Sequence, residues 1–285
     1  MPRIPLMEKI NINIGNDIAH YFSTNSEGED AHFYPGNGLP NGVYKPFLNL
    51  LAEKYNLTSL AFRATWENAP IQNNQVDWHT YADDLICFLD SKYDKPIIGI
   101  GHSQGAVATI IAAAKRPDLF KSLYLIEPVS VSKFEEICIS LVPYFFKKKT
   151  EPFKSTLKKQ AVWKSPDEYF EFLKNNKGFK RINEENLKLF AKESLTFKAE
   201  SHYELAFPVD WEVANYGLPI CLDKYLQKLT VPHKIILGKP SFFLSEKTRV
   251  KLKEIVRGKI AINSHYGHLI PLEAPQFCAE EIFKS

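Results

Sequence analysis

Apolar and polar residues alternate over 8–15 (Ile10, Ile12, Ile14) and again over 18–24 (Ile18, His20, Phe22), around Gly15-Asn16-Asp17. A period of two predicts two strands, and the polar turn between them predicts a hairpin. Ala31–Tyr34 reads as a short strand that enters the loop Pro35-Gly36-Asn37-Gly38. Residues 43–55 carry helical spacing (Tyr44, Phe47, Leu48, Leu51), 57–62 reads as a strand and 78–92 as a helix. The run 96–101, nearly all apolar, suits a strand buried on both faces of a parallel sheet. An alanine-rich helix over 106–114 and a strand over 122–127 follow.

From about 130 to 215 the alternation stops, and the stretch is expected to be helical, with lysines on its outer faces (Lys147-Lys148-Lys149, Lys158-Lys159, Lys174, Lys177). The α/β rhythm then resumes: a helix near 221–229, a strand over 233–237, a helix near 245–256, a strand over 259–262 and a last helix from Pro271. Strand–helix alternation implies a parallel sheet covered on both faces. The expected organisation is a sheet core over 1–129 and 216–285, interrupted by a helical cap over 130–215.

Composition narrows the class. In 285 residues, 45% are hydrophobic and 24% charged, which excludes a disordered or fibrous chain. The net charge of +3 is too small to imply nucleic-acid binding. It is unevenly spread: residues 1–142 hold 11 Lys/Arg against 16 Asp/Glu, and residues 143–285 hold 25 against 17. Cys87, Cys138, Cys221 and Cys278 are widely spaced, without a Cys-x-x-Cys, as expected of free thiols in a reducing compartment. No signal-peptide pattern opens the chain and no run of 18 apolar residues occurs, so a cytoplasmic location is expected. Neither a zinc motif nor a P-loop is present, so no metal and no cofactor are expected.

Gly101-His102-Ser103-Gln104-Gly105 lies between the buried strand and the alanine-rich helix. A Gly-x-Ser-x-Gly turn in that setting reverses the chain so sharply that the serine is strained and its oxygen stands above the sheet. The Gln104 N–H points into the same space, at a helix start that favours negative charge. Gly99-x-Gly101 also begins a dinucleotide fingerprint, but Gln104 stands where its third glycine belongs, and three or more strands precede it. A serine nucleophile needs a neutral imidazole. Eight histidines compete for this role; His268 lies just after the final strand and before the final helix, and His265 is its nearest rival. His102 is read as shaping the pocket wall or the elbow, and Trp66, in a loop after a strand, as a pocket residue.

These features resemble the α/β-hydrolase fold family over nearly the whole chain: leading strands, elbow, helical insertion, and the segment Gly267-His268, then Pro271-x-Glu273-x-Pro275. The resemblance implies a mostly parallel eight-stranded sheet with helices on both faces and a helical cap, and a Ser–His–acid triad of Ser103 and His268 with a carboxylate. The family's usual acid position, Gly-x-x-Asp, reads Gly238-Lys239-Pro240-Ser241 here. Some members place the acid one strand earlier, which assigns Glu127; Glu246 is the alternative near the usual position. The family's oxyanion loop corresponds to Pro35-Gly36-Asn37, with Pro35 in place of the usual His, which assigns the Asn37 N–H as second donor. The Asn37 side-chain amide is read as a further contact for a substrate oxygen. Serine at 103 argues against epoxide hydrolases and haloalkane dehalogenases, whose relatives carry aspartate there.

The expected function is hydrolysis of a carboxylic ester with an apolar part, in the manner of a carboxylesterase. Thioester or carbon–carbon cleavage on the same residues, and a non-catalytic ligand-binding protein, are the alternatives. The expected partner is a small molecule. The apolar stretch Phe134–Phe146, followed by three lysines, is expected to form the core of the cap, with peripheral contact to anionic lipid as the second reading. Tyr169, Phe170, Phe172 and Phe179 are expected to add core. The sequence assigns no oligomeric state.

Overall fold

The computed structural model describes residues 7–67, 75–239, 241 and 246–284, with side chains of the last segment from residue 249 on. The chain opens with β1 (Glu8–Ile14) and β2 (Asp17–Ser23), an antiparallel hairpin in the register Glu8 to Ser23. β3 (Glu29–Tyr34), α1 (Lys45–Leu51), β4 (Tyr55–Leu60), α2 (Trp78–Lys92), β5 (Ile97–His102), α3 (Gln104–Lys115) and β6 (Phe120–Ile126) follow. The helix expected over 43–55 is shorter than its apolar spacing, because Tyr55 already pairs with Glu29 in the sheet.

The cap carries α4 (Lys133–Leu141), α5 (Tyr144–Lys147), α6 (Phe153–Thr156), β7 (Val162–Trp163), α7 (Pro166–Lys174), α8 (Glu184–Glu193), β8 (Leu195–Ala199), β9 (His202–Leu205) and α9 (Val209–Ala214). The core resumes with α10 (Asp223–Lys228), β10 (His233–Gly238), α11 (Glu246–Ile255), β11 (Lys259–Asn263), α12 (Ile270–Glu273) and α13 (Pro275–Phe283).

Eight strands form one sheet in the order β1-β2-β4-β3-β5-β6-β10-β11. β1, β2 and β4 pair antiparallel and the rest are parallel. β5 lies near the middle, and all six of its residues are buried, as its apolar run requires. Residues 104–113 of α3 are likewise all buried, and its alanines let helix and sheet approach closely. One apolar cluster packs α2, α3 and α10 on one face; the other packs α1, α8 and α13 on the opposite face. Among the described residues no helix is long and apolar enough to cross a membrane.

The cap departs from expectation twice. It is not all helix: β7, β9 and β8 form a small antiparallel sheet. Leu195 and Phe197 pair with Leu205 and Tyr203, and the hairpin turns through Ser201 at a positive φ, without a glycine to mark the turn. The Phe134–Phe146 stretch is also not cap core. Phe134 is 75% exposed, Leu141 76%, Phe145 62% and Phe146 56%. No residue of α4 is buried, and Ile139, with Val142 beyond the helix, lines the cavity described below. Phe170 is buried as expected, whereas Phe172 is half exposed.

Candidate active site

Five strand ends converge at one edge of the sheet: β3, β5, β6, β10 and β11. In an open α/β sheet, ligands bind beyond the carboxyl ends of the strands where the strand order reverses, and Asn37, Ser103, Glu127, Ser241 and His268 each follow one of these ends.

β5 gives way to α3 in a single residue, Ser103, at φ 53° and ψ −121°. A non-glycine residue in that conformation is strained, and its surroundings must hold it there. Here the Ser103 N–H donates to the Ile126 carbonyl of β6 at 2.9 Å. The flanking glycines answer to sterics. A Cβ on Gly105 would lie 2.2 Å from the carbonyl oxygens of Tyr34 and Pro35, and one on Gly101 would lie 2.6 Å from the Ala106 Cα. Gln104 opens α3, where an N–H has no acceptor within its own helix.

His268 lies in the turn after β11. Its Nε2 is 2.9 Å from the Ser103 Oγ, and its Nδ1 is 3.1 Å from the Glu127 Oε2. Glu127 follows β6 at φ 48° and is fully buried. Its N–H donates to the Ile236 carbonyl at 2.9 Å, and its Oε1 accepts the Gly238 N–H at 2.7 Å. One carboxylate therefore binds the end of β10 and faces the imidazole at once. Ser241, at the family's usual acid position, has a buried Oγ with no hydrogen-bond partner among the described residues. The side chain of Glu246 lies outside the described residues.

Of the two places read for His102, the pocket wall and the elbow, it takes the second: it is fully buried and does not line the cavity. Its Nε2 is 2.8 Å from the His268 carbonyl, which can only accept, so Nε2 carries the proton. Nδ1 is then an acceptor, and the Tyr44 hydroxyl donates to it at 2.7 Å. Tyr44 in turn accepts the Gly36 N–H at 3.0 Å. Burial, with His268 nearby, pushes the His102 pKa down to about 3, consistent with the neutral ring this chain of bonds requires. His102 and Tyr44 thus connect the loop after β3, the elbow and the His268 turn, a role that the residue order did not reveal. Glu273 adds a second brace: its carboxylate accepts the Gly267 N–H, and burial raises its pKa.

The loop 35–38 lies directly over the elbow, since a Cβ on Gly36 would be 3.2 Å from the Ser103 Cβ. Asn37 lines the cavity, but its side-chain amide does not offer itself to a substrate as expected. Its oxygen accepts the Asn215 Nδ2 at 2.7 Å, and its nitrogen donates to the Glu212 carbonyl at 3.0 Å, which ties the loop to the cap. Trp66 is also not a cavity residue. It is 6% exposed, its Nε1 donates back to the Ala61 carbonyl at 2.7 Å, and the Arg63 guanidinium lies over its ring.

Between the strand ends and the cap lies a cavity of about 650 Å³. Ser103, Gln104 and His268 line its floor; Val129, Val131, Ile139, Val142, Phe153 and Phe179 are among the residues of its apolar wall. The arrangement can pass a proton from a hydroxyl to an imidazole whose far side faces a carboxylate.

The fold recurs in solved structures. E-2-(acetamidomethylene)succinate hydrolase superposes with a TM-score of 0.81 at 17% identity, over 98% of each chain. The thioesterase domain from the curacin biosynthetic pathway gives 0.74 at 15%, over 98% of this chain and 99% of that one. An esterase of M. tuberculosis gives 0.72 at 14%, over 98% and 92%. At such identities the likeness is one of fold. No curated protein matches the chain in sequence. The family pattern described as "alpha/beta hydrolase fold" matches residues 43–245, well over half of the sequence. With that match and this architecture, the chain belongs to the α/β-hydrolase family.

Proposed function

We propose that the protein is a serine hydrolase that cleaves a carboxylic ester through an acyl-enzyme. The observation that carries the reading is the line from the Ser103 Oγ to the His268 Nε2 at 2.9 Å and from the His268 Nδ1 to the buried Glu127 at 3.1 Å. For Nε2 to accept the serine proton, Nδ1 must hold the other proton and donate it to Glu127; the carboxylate thereby selects the tautomer. As the Ser103 oxygen attacks the carbonyl carbon, its proton passes to His268, and Glu127 offsets the charge on the imidazolium. The oxyanion is held by the Gln104 N–H at the start of α3 and by the Asn37 N–H. His268 returns the proton to the leaving alcohol. It then takes one from the water that attacks the acyl group, and gives it to the Ser103 oxygen as the acid product leaves.

A mostly apolar cavity of about 650 Å³ suits a small ester better than a polymer. The test is turnover of a series of p-nitrophenyl esters of increasing acyl length, with Ser103→Ala as control. The reading expects hydrolysis that varies with chain length and is lost in Ser103→Ala. Inactivity across the series in folded protein would contradict the ester assignment and direct the same residues toward thioesters or ketone-flanked carbon–carbon bonds.

A further inference from the structure

Lys147 ends α5 in the most lysine-rich part of the chain, yet it behaves unlike its neighbours. Lys148 and Lys149 are exposed, whereas Lys147 is 3% exposed and lines the cavity. An ammonium has three protons to donate. Two of them go to the Gln75 Oε1 at 2.6 Å and the Gly217 carbonyl at 2.7 Å, both neutral acceptors. Among the described residues no carboxylate pairs with it, and burial alone depresses its pKa.

The cavity's own carboxylates are engaged elsewhere. Glu212 is clasped by the Lys159 ammonium through both oxygens and accepts the Tyr216 hydroxyl. Glu151 accepts the Ser155 N–H, and Glu273 holds Gly267. A buried cation without a counter-charge is destabilising, and an anion brought to it offsets that cost through a charge-assisted hydrogen bond. A second group is unfinished in the same cavity: the Gln104 side chain is 2% exposed, and neither its amide oxygen nor its nitrogen has a partner among the described residues. An apolar pocket that holds a buried ammonium without a carboxylate partner and an unpartnered amide, with Lys177 and Arg181 also in its lining, is shaped for a ligand that carries polar atoms of its own.

We propose that the cavity takes an acyl substrate bearing a second, anionic carboxylate remote from the carbonyl that Ser103 attacks, with Lys147 as its counter-ion. The inference rests on the serine-hydrolase reading for which bond is cleaved; the binding preference itself does not. Binding energy from such a remote charge would position the carbonyl over Ser103.

The test is calorimetric binding to the Ser103→Ala protein. Monomethyl succinate, glutarate and adipate are compared with methyl butyrate, valerate and caproate, pairs that match in length and differ in one charge. At least one half-ester is expected to bind about tenfold or more tightly than its neutral match. Lys147→Met should erase that preference while leaving the neutral esters unaffected. Should Lys147→Met not fold, Lys147→Gln, which retains a donor toward Gly217, makes the same comparison. Equal affinities within every pair, or a preference that survives the substitution, would overturn the proposal. Equal weakening of both ligand sets would do so too, since Lys147 would then only tether the cap. Because nothing in this experiment requires turnover, its failure leaves the serine-hydrolase reading to be judged by ester hydrolysis in the wild type.

Discussion

Ile98 in β5 and Phe134 in α4 are both strongly apolar, yet the first is 4% exposed and the second 75%. The sheet region packs its apolar residues from both faces, and its strand ends hold their loops in strained but fully bonded conformations at Ser103 and Glu127. The cap is assembled from short helices and a small sheet, and it leaves large side chains facing water. A densely packed platform that carries the proposed Ser103–His268–Glu127 line therefore lies beneath a less buried cover that shapes the cavity. Chemistry is expected to be sensitive to the first region and selectivity to the second.

The largest test of that division falls on the platform. Glu127→Gln should lower kcat/KM for an ester about 10³–10⁴-fold, because a neutral amide favours the wrong imidazole tautomer and leaves the imidazolium uncompensated. Ser241→Ala should stay within about threefold, since loss of an uninvolved hydroxyl is worth little to the transition state. Full activity in the first variant would remove Glu127 from the proposed triad.

Gly105→Ala comes next, measured by urea unfolding. Its Cβ would meet two backbone oxygens at 2.2 Å. A loss of about 3 kcal/mol or more is expected, as backbone on both sides must move. A neutral result would mean that the elbow is not packed against the loop after β3.

Acid should loosen the platform gradually. Burial pushes the pKa of His32 and His102 down to about 3, and that of His20 to about 4, from an ordinary 6.5. Unfolding lets these rings bind protons that the folded state refuses, so the stability they contribute is complete above pH 6.5 and falls as pH drops from there toward the folded values. Each can contribute up to about 1.4 kcal/mol per pH unit in that window. The melting temperature should therefore fall between pH 6.5 and 4.5, and a flat profile would contradict neutral buried rings.

The smallest effect belongs to the cap. Phe134→Ser removes an exposed side chain and should change stability by no more than about 0.5 kcal/mol in a thermal melt. A large loss would mean that the outer face of α4 is covered.

The same division explains what the sequence disclosed. The Ser103 turn and the His268 loop are local patterns, so their positions were legible, and the buried run of β5 named the central strand. Glu127 was suggested by the family resemblance alone, because a carboxylate at the end of either neighbouring strand could face the imidazole and no spacing rule chose between them. The Tyr44–His102–His268 connection was not legible, since its members lie 58 and 166 residues apart and no spacing rule reaches that far. The hairpin of β8 and β9 was hidden by a serine where a glycine would have marked the turn. The apolar stretch 134–146 misled because hydrophobicity predicts burial only when a neighbour exists to cover it. Trp66 misled because an indole needs an acceptor for its N–H, and the backbone of its own loop supplied one. Lys147 was one lysine among many until the fold buried it.

The central claim is that Ser103 is a nucleophile made reactive by His268. Treatment of the folded protein with a fluorophosphonate, followed by mass analysis of its peptides, tests it most directly. The account predicts one adduct, on Ser103, that disappears in Ser103→Ala. A folded protein left unmodified, or an adduct unaffected by that substitution, would contradict it.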